Sequence, residues 1–500
     1  MSGSPGGAVG LRERAAATRV VVIGGGVAGL VAALECAKVG LTVTVLEEGA
    51  APGGAVRRAD VGGLALDVGA ESYATRGGHV RALIDELGIG DRVVAPAGGR
   101  AWLAGIPGVG AAPMPAGGVL GIPENPFAPD VRRVIGWPGA WRAYVDRLRP
   151  VLTIGHEHSL ATLVRSRMGA RVLDRLVAPV VQGVYSARPE DIDVDAAAPG
   201  LNAALTRAGS LSGAVAALRG GKPAAAPGAA VNGLEGGMST LVDALVRRLG
   251  ELDVELRTNS EAVAFERAQG GWRVDVAERT VRDAEAPDAD SLGSDPSSLF
   301  ADVVVVAVPE DAARRLLAPV VPELPAAGER PAPVVEVVTL VVDAPALDDA
   351  PRGSGVLCVP GAHTAKALTH VTAKWPWVAA AAGAGRHVVR VSFGAQGEAP
   401  ATAALDEDGA ARLALAEASA LLGVDLPASV LVAARRERYE QSQPASVIGQ
   451  ADAAARARAA VGEHEGLGVV GAWIAGTGLA QVIPDAVAEA DRLRHGALWA

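Results

Sequence analysis

The pattern of hydrophobic and polar positions predicts a βαβ unit near the start of the chain. Val20–Ile23 is a short run of apolar residues only, which is typical of a parallel strand buried on both faces. Glycines follow, and a helix is predicted over Val27–Val39, where Gly40 ends it. Leu41–Leu46 alternates threonine with aliphatic residues and is predicted to be a second strand. Such a unit is the framework of a nucleotide-binding fold.

Beyond this unit, helical and strand-like stretches alternate along the chain. The predicted helices are an amphipathic segment from about residue 80 to 90, Trp141–Leu148, Ser159–Met168, Arg171–Val181, Met238–Leu249, Asp406–Leu422 and Ile483–Leu493. The predicted strands are Val254–Arg257, Glu261–Arg267, Trp272–Val276, Asp302–Val308, Val334–Val342, His387–Ser392, Ser429–Ala434 and Leu467–Ala472. Irregular structure is predicted for the first 18 residues (a disordered tail), 95–140 (loop-like), Gly209–Ala230 (mobile) and Asp283–Ser298 (a polar insertion).

Strands of the buried parallel type recur near residues 302 and 468, far from the first strand in sequence. We therefore predict an α/β protein whose Rossmann-like domain is discontinuous and spans 18–94, 231–330 and 455–500. A helical module is predicted over 95–230 and a mixed-sheet substrate domain over 331–454. The length of 500 residues agrees with several domains, because one core does not grow that large.

Composition and charge narrow the classes of function. The net charge is −10 and basic residues are not interleaved with aromatic ones, so nucleic acid is not an expected partner. Cys36 and Cys358 lie in apolar runs and are predicted to be buried free thiols in a reducing cytosol. No metal is expected, since the histidines lack ligand spacing, and His156 and His158 are predicted to be solvated on a loop. We expect a cytoplasmic protein without a transmembrane segment, with peripheral membrane contact left open.

The glycines after the first strand carry the first chemical signal. In Gly24-Gly25-Gly26-Val27-Ala28-Gly29, the first glycine permits a tight turn, the third lets a pyrophosphate approach the backbone, and the last lets the helix pack closely. The phosphates would meet the free N–H groups of the helix N-terminus. Glu47 ends the second strand, where its carboxylate can accept hydrogen bonds from ribose hydroxyls. A mere glycine-rich turn is the alternative, but the spacing of strand, helix, strand and acid favours dinucleotide binding.

The next residues favour FAD over NAD. Gly53-Gly54 follows Glu47, and Asp67-Val68-Gly69-Ala70-Glu71-Ser72 comes after it. The glycine pair resembles the second signature of two-dinucleotide-binding flavoproteins, although Ala51 stands where arginine is usual; a surface hairpin is the alternative. In Gly468–Ile483 a strand again ends in a glycine-rich turn and a helix begins. The N-terminus of this helix can stabilise the N1–C2 edge of a flavin. The discontinuous domain is therefore predicted to be an FAD-binding domain, with FAD as the cofactor.

Segments spread over nearly the whole chain resemble the bacterial porphyrinogen oxidases of the heme pathway, within the amine-oxidase-like flavoproteins. They are Asp67–Ser72 with Arg76, Pro179–Tyr185, Gly233–Leu241, Ala301–Pro309, Ala365–His370, Lys374–Trp377 and Gly471–Ile483. The resemblance implies that Val263 holds the adenine through its backbone and that Tyr439 supplies a flat ring where relatives often carry Trp. The implied FAD contacts are Gly24, Gly25, Gly26, Val27, Ala28, Gly29, Glu47, Glu48, Gly54, Gly69, Ala70, Glu71, Ser72, Val263, Tyr439, Leu479, Ala480 and Gln481.

The resemblance also implies a reaction. It is the oxygen-dependent oxidation of coproporphyrinogen III to coproporphyrin III, in which six electrons pass through the flavin to O2 and give hydrogen peroxide. Protoporphyrinogen IX is the alternative substrate; an arginine-rich composition and Gly183-Val184-Tyr185 favour the first, because they resemble soluble Gram-positive enzymes. Arg76, Lys366 and Lys374 are the candidate partners of substrate carboxylates, and the catalytic base is unknown. A transient contact with the next heme-pathway enzyme is a further expected partner.

Two alternatives of another class stay open. An amine oxidase or a carotenoid desaturase shares the flavin fold, but an amine oxidase is expected to line its flavin with aromatic residues, which are only 3% of this chain. A non-catalytic flavin-binding scaffold that regulates a partner is the other alternative.

Overall fold

A computed structural model describes residues 5–149, 157–220, 230–268, 270–278, 297–327, 332–440 and 446–499, without the side chains of residues 5–9. One sheet of this structure is parallel throughout and has five strands. Their order across the sheet is Glu255–Arg257, Thr42–Leu46, Arg19–Ile23, Val303–Val306 and Leu467–Val469. The predicted Rossmann-like α/β fold is confirmed. The predicted strands near residues 302 and 468 join this sheet although they lie far from the first strand in sequence.

Both faces of the parallel sheet are covered, which explains its continuous apolar strands. On one face pack the helices Val27–Ala37, Ser239–Glu251 and Leu479–Trp499. The other face is covered by an antiparallel sheet of Ser260–Ala268, Gly271–Glu278 and Ser297–Ala301, with helices Glu310–Leu317 and Gln450–Gly462. Cys36 is buried free in the first layer, and Cys358 is buried free elsewhere, as predicted; burial raises the pKa of each thiol to about 12.

A second large sheet has seven strands and mixed direction. Their order is Leu431–Glu440, Val334–Asp343, Arg386–Phe393, Ala367–His370, Gly355–Cys358, Trp102–Ile106 and Gly110–Pro113. Only the pairing of Gly355–Cys358 with Trp102–Ile106 is parallel among its described pairings. Helix Glu407–Leu422 covers one face, and Asp406 caps it by accepting a hydrogen bond from Gly409 N.

The prediction that residues 95–140 are loop-like was wrong. Two strands of this segment belong to the seven-stranded sheet, and a helix, Pro129–Tyr144, begins at its end. Glycine and proline hide these two strands in the sequence. The strands are short, and their link to the rest of the sheet is the pairing of Trp102–Ile106 with Gly355–Cys358, far along the chain. The predicted division at 95–230 therefore assigns two strands of the mixed sheet to the helical module; the domain boundaries themselves stay a prediction.

The rest of residues 95–230 is mainly helical. The helices are Pro129–Tyr144, Leu160–Met168, Ala170–Val172, Ala178–Tyr185, Val194–Ala197, Leu201–Ala208 and Leu211–Arg219. Ala170–Val172 continues into Ala178–Tyr185 through a turn of wider helix at Leu173–Val177. Helix Leu211–Arg219 corrects the prediction of a mobile stretch at Gly209–Ala230: Ser210 caps the helix through Gly213 N, and alanine favours it. Residues 221–229 lie outside the described residues.

The predicted disordered tail was also wrong from residue 5 onward. Pro5–Ala17 is a helix, Ala15 is buried in the core beneath it, and the Arg14 guanidinium donates to the Leu498 carbonyl at 2.8 Å. An alanine-rich segment forms this helix because it docks on the last helix of the chain. Residues 1–4, His156 and most of the predicted insertion at 283–298 lie outside the described residues. His158 is exposed, with Nδ1 3.0 Å from the Asp193 carboxylate.

Shorter elements complete the described chain. The helices are His79–Glu86, Val371–Lys374, Pro376–Ala382 and Ala472–Ala475, and the 3-10 turns are Gly90–Arg92, Val145–Leu148, Pro189–Asp191, Pro345–Leu347 and Ala428–Val430. Two hairpins pair Arg58–Val61 with Leu64–Asp67 and Gly118–Val119 with Ile122–Pro123. A small sheet consists of Tyr73–Ala74, Val231–Leu234 and Val93–Val94. In the part of the chain that the structure describes, no helix combines the length and apolar character needed to cross a bilayer.

Candidate flavin and substrate site

Three glycines of the first motif have three separate reasons to be glycine. Gly24 has φ +108°, and a Cβ there would lie 2.6 Å from the Ala307 carbonyl oxygen. A Cβ on Gly29 would lie 2.0 Å from the Gly24 carbonyl oxygen, so a side chain would push the helix away from the strand. Gly26 differs, because a Cβ there would meet nothing within 4 Å. The open space lies beside the helix N-terminus, which has no side-chain cap, and this suits a pyrophosphate.

Glu47 lies at the end of its strand, beside the glycine turn. Its Oε2 accepts a hydrogen bond from Gly25 N at 2.9 Å, and its Oε1 accepts one from Gly49 N at 2.8 Å. A carboxylate has about four acceptor positions, so two bonds fix its orientation and leave capacity for two ribose hydroxyls. The residues present therefore fit the ADP half of a dinucleotide.

The glycine pair Gly53-Gly54 and the segment Gly69–Ser72 are linked to the first glycine motif by backbone contacts. Gly53 pairs with Gly26, and Gly53 N donates to the Gly25 carbonyl at 2.9 Å. Ala55 then accepts a hydrogen bond from Ala70 N, and a Cβ on Gly69 would lie 2.0 Å from the Ala55 carbonyl oxygen. The predicted FAD-binding segments are therefore brought side by side, in contacts that only glycine permits.

Asp67 connects these segments to a further motif of the sequence. Its carboxylate accepts hydrogen bonds from Met238 N at 2.8 Å and Ser239 N at 3.4 Å, where helix Ser239–Glu251 begins. A Cβ on Gly237 would come within 2.7 Å of the same carboxylate. Burial raises the pKa of Asp67 to about 6, although the two backbone donors oppose this change. The Gly236-Gly237-Met238 motif thus serves as a partner for Asp67.

A largely buried ion cluster is built around Glu71, within the Gly69–Ser72 segment. Glu71 accepts from Lys374 Nζ at 2.5 Å and from Arg390 Nη1 at 3.2 Å. Arg390 Nη2 also donates to the carbonyls of Val68 and Gly69 at 2.9 and 2.7 Å. Burial raises the pKa of Glu71, but its two cationic partners outweigh this and hold the pKa below its usual value. Two cations and one anion give the cluster a net charge of +1.

The three candidate partners of substrate carboxylates have different environments. Lys374 is engaged with Glu71, and its ammonium lies 5.1 Å from the centre of the Trp375 ring. Lys366 is buried, and its Nζ donates to Ser186 Oγ at 2.6 Å. Arg76 is exposed, and its charge acts on the Tyr185 hydroxyl, whose pKa burial raises. Arg76 and Lys366 therefore approach neighbouring residues, Tyr185 and Ser186, from two parts of the chain.

The remaining predicted cofactor contacts lie at element ends or irregularities. Strand pairing skips Val263 between Ala262 and Ala264, and its side chain is 43% exposed. The Tyr439 hydroxyl lies near Gly69: a Cβ on Gly69 would be 3.3 Å from the Tyr439 hydroxyl oxygen. Leu479, Ala480 and Gln481 form the first turn of the last helix, after Gly478 with φ +100°, and Glu48 is exposed beside Glu47. Direct contact of these residues with FAD stays a prediction.

Comparison with known proteins identifies the family. The model of the flavin containing amine oxidoreductases matches residues 27–493. The chain belongs to this family. It is therefore an FAD-dependent oxidoreductase, and the predicted cofactor is confirmed. A coproporphyrinogen III oxidase of Mycobacterium leprae is 31% identical over 464 residues, covering 90% of this chain and 94% of that protein.

Two further members extend the comparison. A coproporphyrinogen III oxidase of Propionibacterium freudenreichii is 29% identical and covers 96% of this chain and 92% of its own. The crystal structure of a candidate protoporphyrinogen oxidase from Exiguobacterium has a TM-score of 0.78 at 24% identity, covering 95% and 98% of the two chains. That structure shows the shared fold, and the sequence relatives confirm the resemblance to porphyrinogen oxidases.

Sequence reasoning missed Arg390 and Ser186, and it assigned no partner to Asp67. Arg390 lies among apolar residues in the middle of the strand Arg386–Phe393, whose other arginine, Arg386, stands at its start. An arginine inside such a strand is a usable signal of a buried ion pair. Ser186 has φ +53° after helix Ala178–Tyr185, and one sequence gives no sign of it.

Proposed function

We propose that this flavoenzyme oxidises coproporphyrinogen III to coproporphyrin III, passing six electrons through FAD to O2 with release of hydrogen peroxide. The similarity to the Mycobacterium leprae protein over 90% of the chain carries this proposal. The cations near the Gln182–Tyr185 segment support it, because a substrate with four carboxylates needs local positive charge in a protein of net charge −10.

We assign the residues of the chain to parts of this task. Gly26 and the helix N-terminus hold the pyrophosphate, Glu47 the ribose, and the Val263 backbone the adenine. Tyr439 and the turn before the last helix border the flavin ring. Arg390 and Lys374 hold the segment Gly69–Ser72 against this ring through Glu71. When bound, FAD would accept hydride equivalents from the porphyrinogen and pass the electrons on to O2. The protein groups orient the macrocycle. Arg76 and Lys366, which have no ion pair with a described carboxylate, are the cations for its carboxylates.

An anaerobic experiment tests the reaction class first. Purified holoenzyme is mixed with coproporphyrinogen III without oxygen, and the loss of the oxidised flavin absorbance is followed. We expect complete bleaching, and then porphyrin fluorescence and hydrogen peroxide when O2 is admitted. Flavin that stays yellow would contradict the proposal and favour a non-catalytic scaffold. Bleaching by amines instead would assign the chain to the amine oxidases.

A second comparison separates the two porphyrinogens. We expect kcat/KM to be higher for the tetracarboxylate coproporphyrinogen III than for the dicarboxylate protoporphyrinogen IX. Equal values, or a preference for the dicarboxylate, would make the enzyme a protoporphyrinogen oxidase.

For location we propose peripheral association with an anionic membrane surface. Helix Pro129–Tyr144 and the turn after it expose Trp137 and Trp141 (56% each) and Leu148 (77%), in a chain with few aromatic residues. Phe127 packs edge-on against Trp141, with ring centres 5.0 Å apart. Tryptophan prefers the interface between headgroups and acyl chains.

Arginines adjoin this aromatic surface. The Arg132 guanidinium lies 4.3 Å above the Trp137 ring, and that of Arg147 lies 5.4 Å from the Tyr144 ring. Basic residues beside interfacial aromatics attract anionic lipid by about 1 kcal/mol each. We expect binding to phosphatidylglycerol vesicles but not to phosphatidylcholine vesicles, and its loss in a double variant, Trp137→Ser with Trp141→Ser. Binding is measured by sedimentation with the vesicles. If the variant sediments as wild type does, membrane contact is contradicted, and the next heme-pathway enzyme becomes the expected partner of this surface.

A further inference from the structure

Lys366 is a buried lysine without a counter-charge among the residues that the structure describes. Its residue is 7% exposed, and its Nζ has one neutral partner, Ser186 Oγ, at 2.6 Å. Among the described residues no carboxylate reaches its ammonium within ion-pair distance, and burial alone lowers the pKa of Lys366 to about 7. Every other described lysine, Lys38 and Lys374, pairs with a glutamate. A buried ammonium is unfavourable unless an anion accompanies it, so the site suits an anion that the described residues do not supply.

The surroundings of Lys366 place that anion next to the predicted substrate segment. Ser186 is buried and directly follows Tyr185 in the left-handed conformation at the end of helix Ala178–Tyr185. Its carbonyl accepts a hydrogen bond from Gln396 N at 2.8 Å, and the Gln396 Oε1 is buried without a hydrogen-bond partner among the described residues. On the other side of Ser186, Tyr185 lies within reach of the charge of Arg76. Two cations therefore border the same two residues, one exposed and one buried.

We propose that Lys366, with the Ser186 hydroxyl, binds one propionate carboxylate that coproporphyrinogen III carries and protoporphyrinogen IX lacks. This inference rests on the proposed function and makes Lys366 a specificity-determining residue. Protoporphyrinogen has vinyl groups at two of the propionate positions, and a vinyl group cannot accept a hydrogen bond or balance a buried ammonium. A site with a buried polar group rejects a ligand that leaves this group unpaired. Exposed Arg76 lacks this power, because water solvates it when no carboxylate is present.

Binding of the two products to the FAD-loaded enzyme tests this. Coproporphyrin III and protoporphyrin IX are titrated separately against wild type, Lys366→Met and Lys366→Arg, and porphyrin fluorescence is measured. We expect Lys366→Met to lose about 10- to 100-fold in affinity for the tetracarboxylate, the value of a charged hydrogen bond, and less than about threefold for the dicarboxylate. Lys366→Arg should retain part of the affinity for coproporphyrin, and Ser186→Ala should lose less than Lys366→Met.

Lys38→Met is the matched control, because Lys38 lies on the helix side of the FAD-binding region and pairs with Glu35 and Glu86. It should leave both affinities unchanged. Equal losses for both porphyrins, or no loss for either, would overturn the role of Lys366. A wild type that binds both products but oxidises neither porphyrinogen would overturn the proposed function instead, and the titration would still decide on Lys366. If Lys366→Met does not fold with FAD, the arginine variant decides, because it keeps the charge and changes the geometry.

Discussion

The dinucleotide-binding region and the substrate side of this flavoenzyme are built by different means. From Arg19 to Glu47 the decisive features are backbone: glycines that touch carbonyls, a free helix N-terminus and one carboxylate, all within one βαβ unit. On the substrate side they are charged side chains: Lys374 and Arg390 reach Glu71 across 303 and 319 residues of sequence. Gly24 and Gly29 leave no room for added atoms, whereas the charges of Glu71, Lys374 and Arg390 balance one another. Substitutions should therefore fail in different ways in the two regions.

The largest effect is expected inside the glycine motif. Gly29→Ala places a Cβ 2.0 Å from the Gly24 carbonyl oxygen, so helix and strand must separate, and a loss of about 4 kcal/mol or more in the free energy of unfolding is expected. Gly26→Ala fills only open space at φ −67°, so the apoprotein should unfold within about 1 kcal/mol of wild type while FAD binding weakens. Urea unfolding and flavin content measure both. Equal stability of the two variants would refute the distinct roles of these glycines.

The second effect concerns the buried cluster. Lys374→Met leaves Glu71 with Arg390 alone in a largely buried site, and about 3 kcal/mol of stability should be lost. FAD should dissociate faster, because Glu71 belongs to the Gly69–Ser72 segment that is predicted to contact FAD. Arg386→Met is the control: its ion pair with Asp343 is exposed and should contribute less than about 1 kcal/mol. Comparable denaturation midpoints for the two variants would show that the cluster does not hold the segment.

A pH series examines the unpaired cation. The pKa of Lys366 is about 7 when folded and near 10.5 when unfolded, so between these values the unfolded chain binds more protons. The stability of wild type relative to Lys366→Met should therefore increase as pH rises from 7 to 10, by about 1.4 kcal/mol per pH unit at most. Urea midpoints at pH 7, 8.5 and 10 measure this. A constant difference between the two proteins would mean that Lys366 keeps its proton after folding.

The smallest effect is expected for a carboxylate of the first region. Glu47→Ala removes the acceptor of a ribose hydroxyl pair and should weaken FAD binding by about 1–3 kcal/mol. It also removes the acceptor of the hydrogen bonds that Gly25 N and Gly49 N donate. Isothermal titration of the apoprotein with FAD gives the value, and Glu251→Ala, which removes an exposed carboxylate at the end of helix Ser239–Glu251, is the control. A Glu47→Ala protein that keeps its full flavin content after dialysis would contradict the assigned role.

Single residues illustrate what could be predicted and why the rest could not. Gly24, Gly26 and Gly29 were predictable because a turn between a strand and a helix imposes the same steric demands wherever it occurs. The short strands Trp102–Ile106 and Gly110–Pro113 were not, since they join the sheet through the pairing of Trp102–Ile106 with Gly355–Cys358, which is decided outside their own sequence. Lys374 was predicted as a partner of the substrate, and the structure gives its ammonium to Glu71. A charged residue in a sequence does not reveal which opposite charge folding brings to it.

By itself, the sequence determined the parallel βαβ framework, the glycine positions, the acid at Glu47 and the flavoprotein family. These depend on local sterics and on hydrophobic periodicity, which act between residues close in the chain. The tertiary structure alone decided that Glu71 is neutralised by Lys374 and Arg390, that Asp67 caps the Met238 turn, and that Lys366 is buried without an anion. Burial and long-range Coulomb interactions are properties of the packed chain, because the dielectric surroundings and partners of a charge exist only after folding.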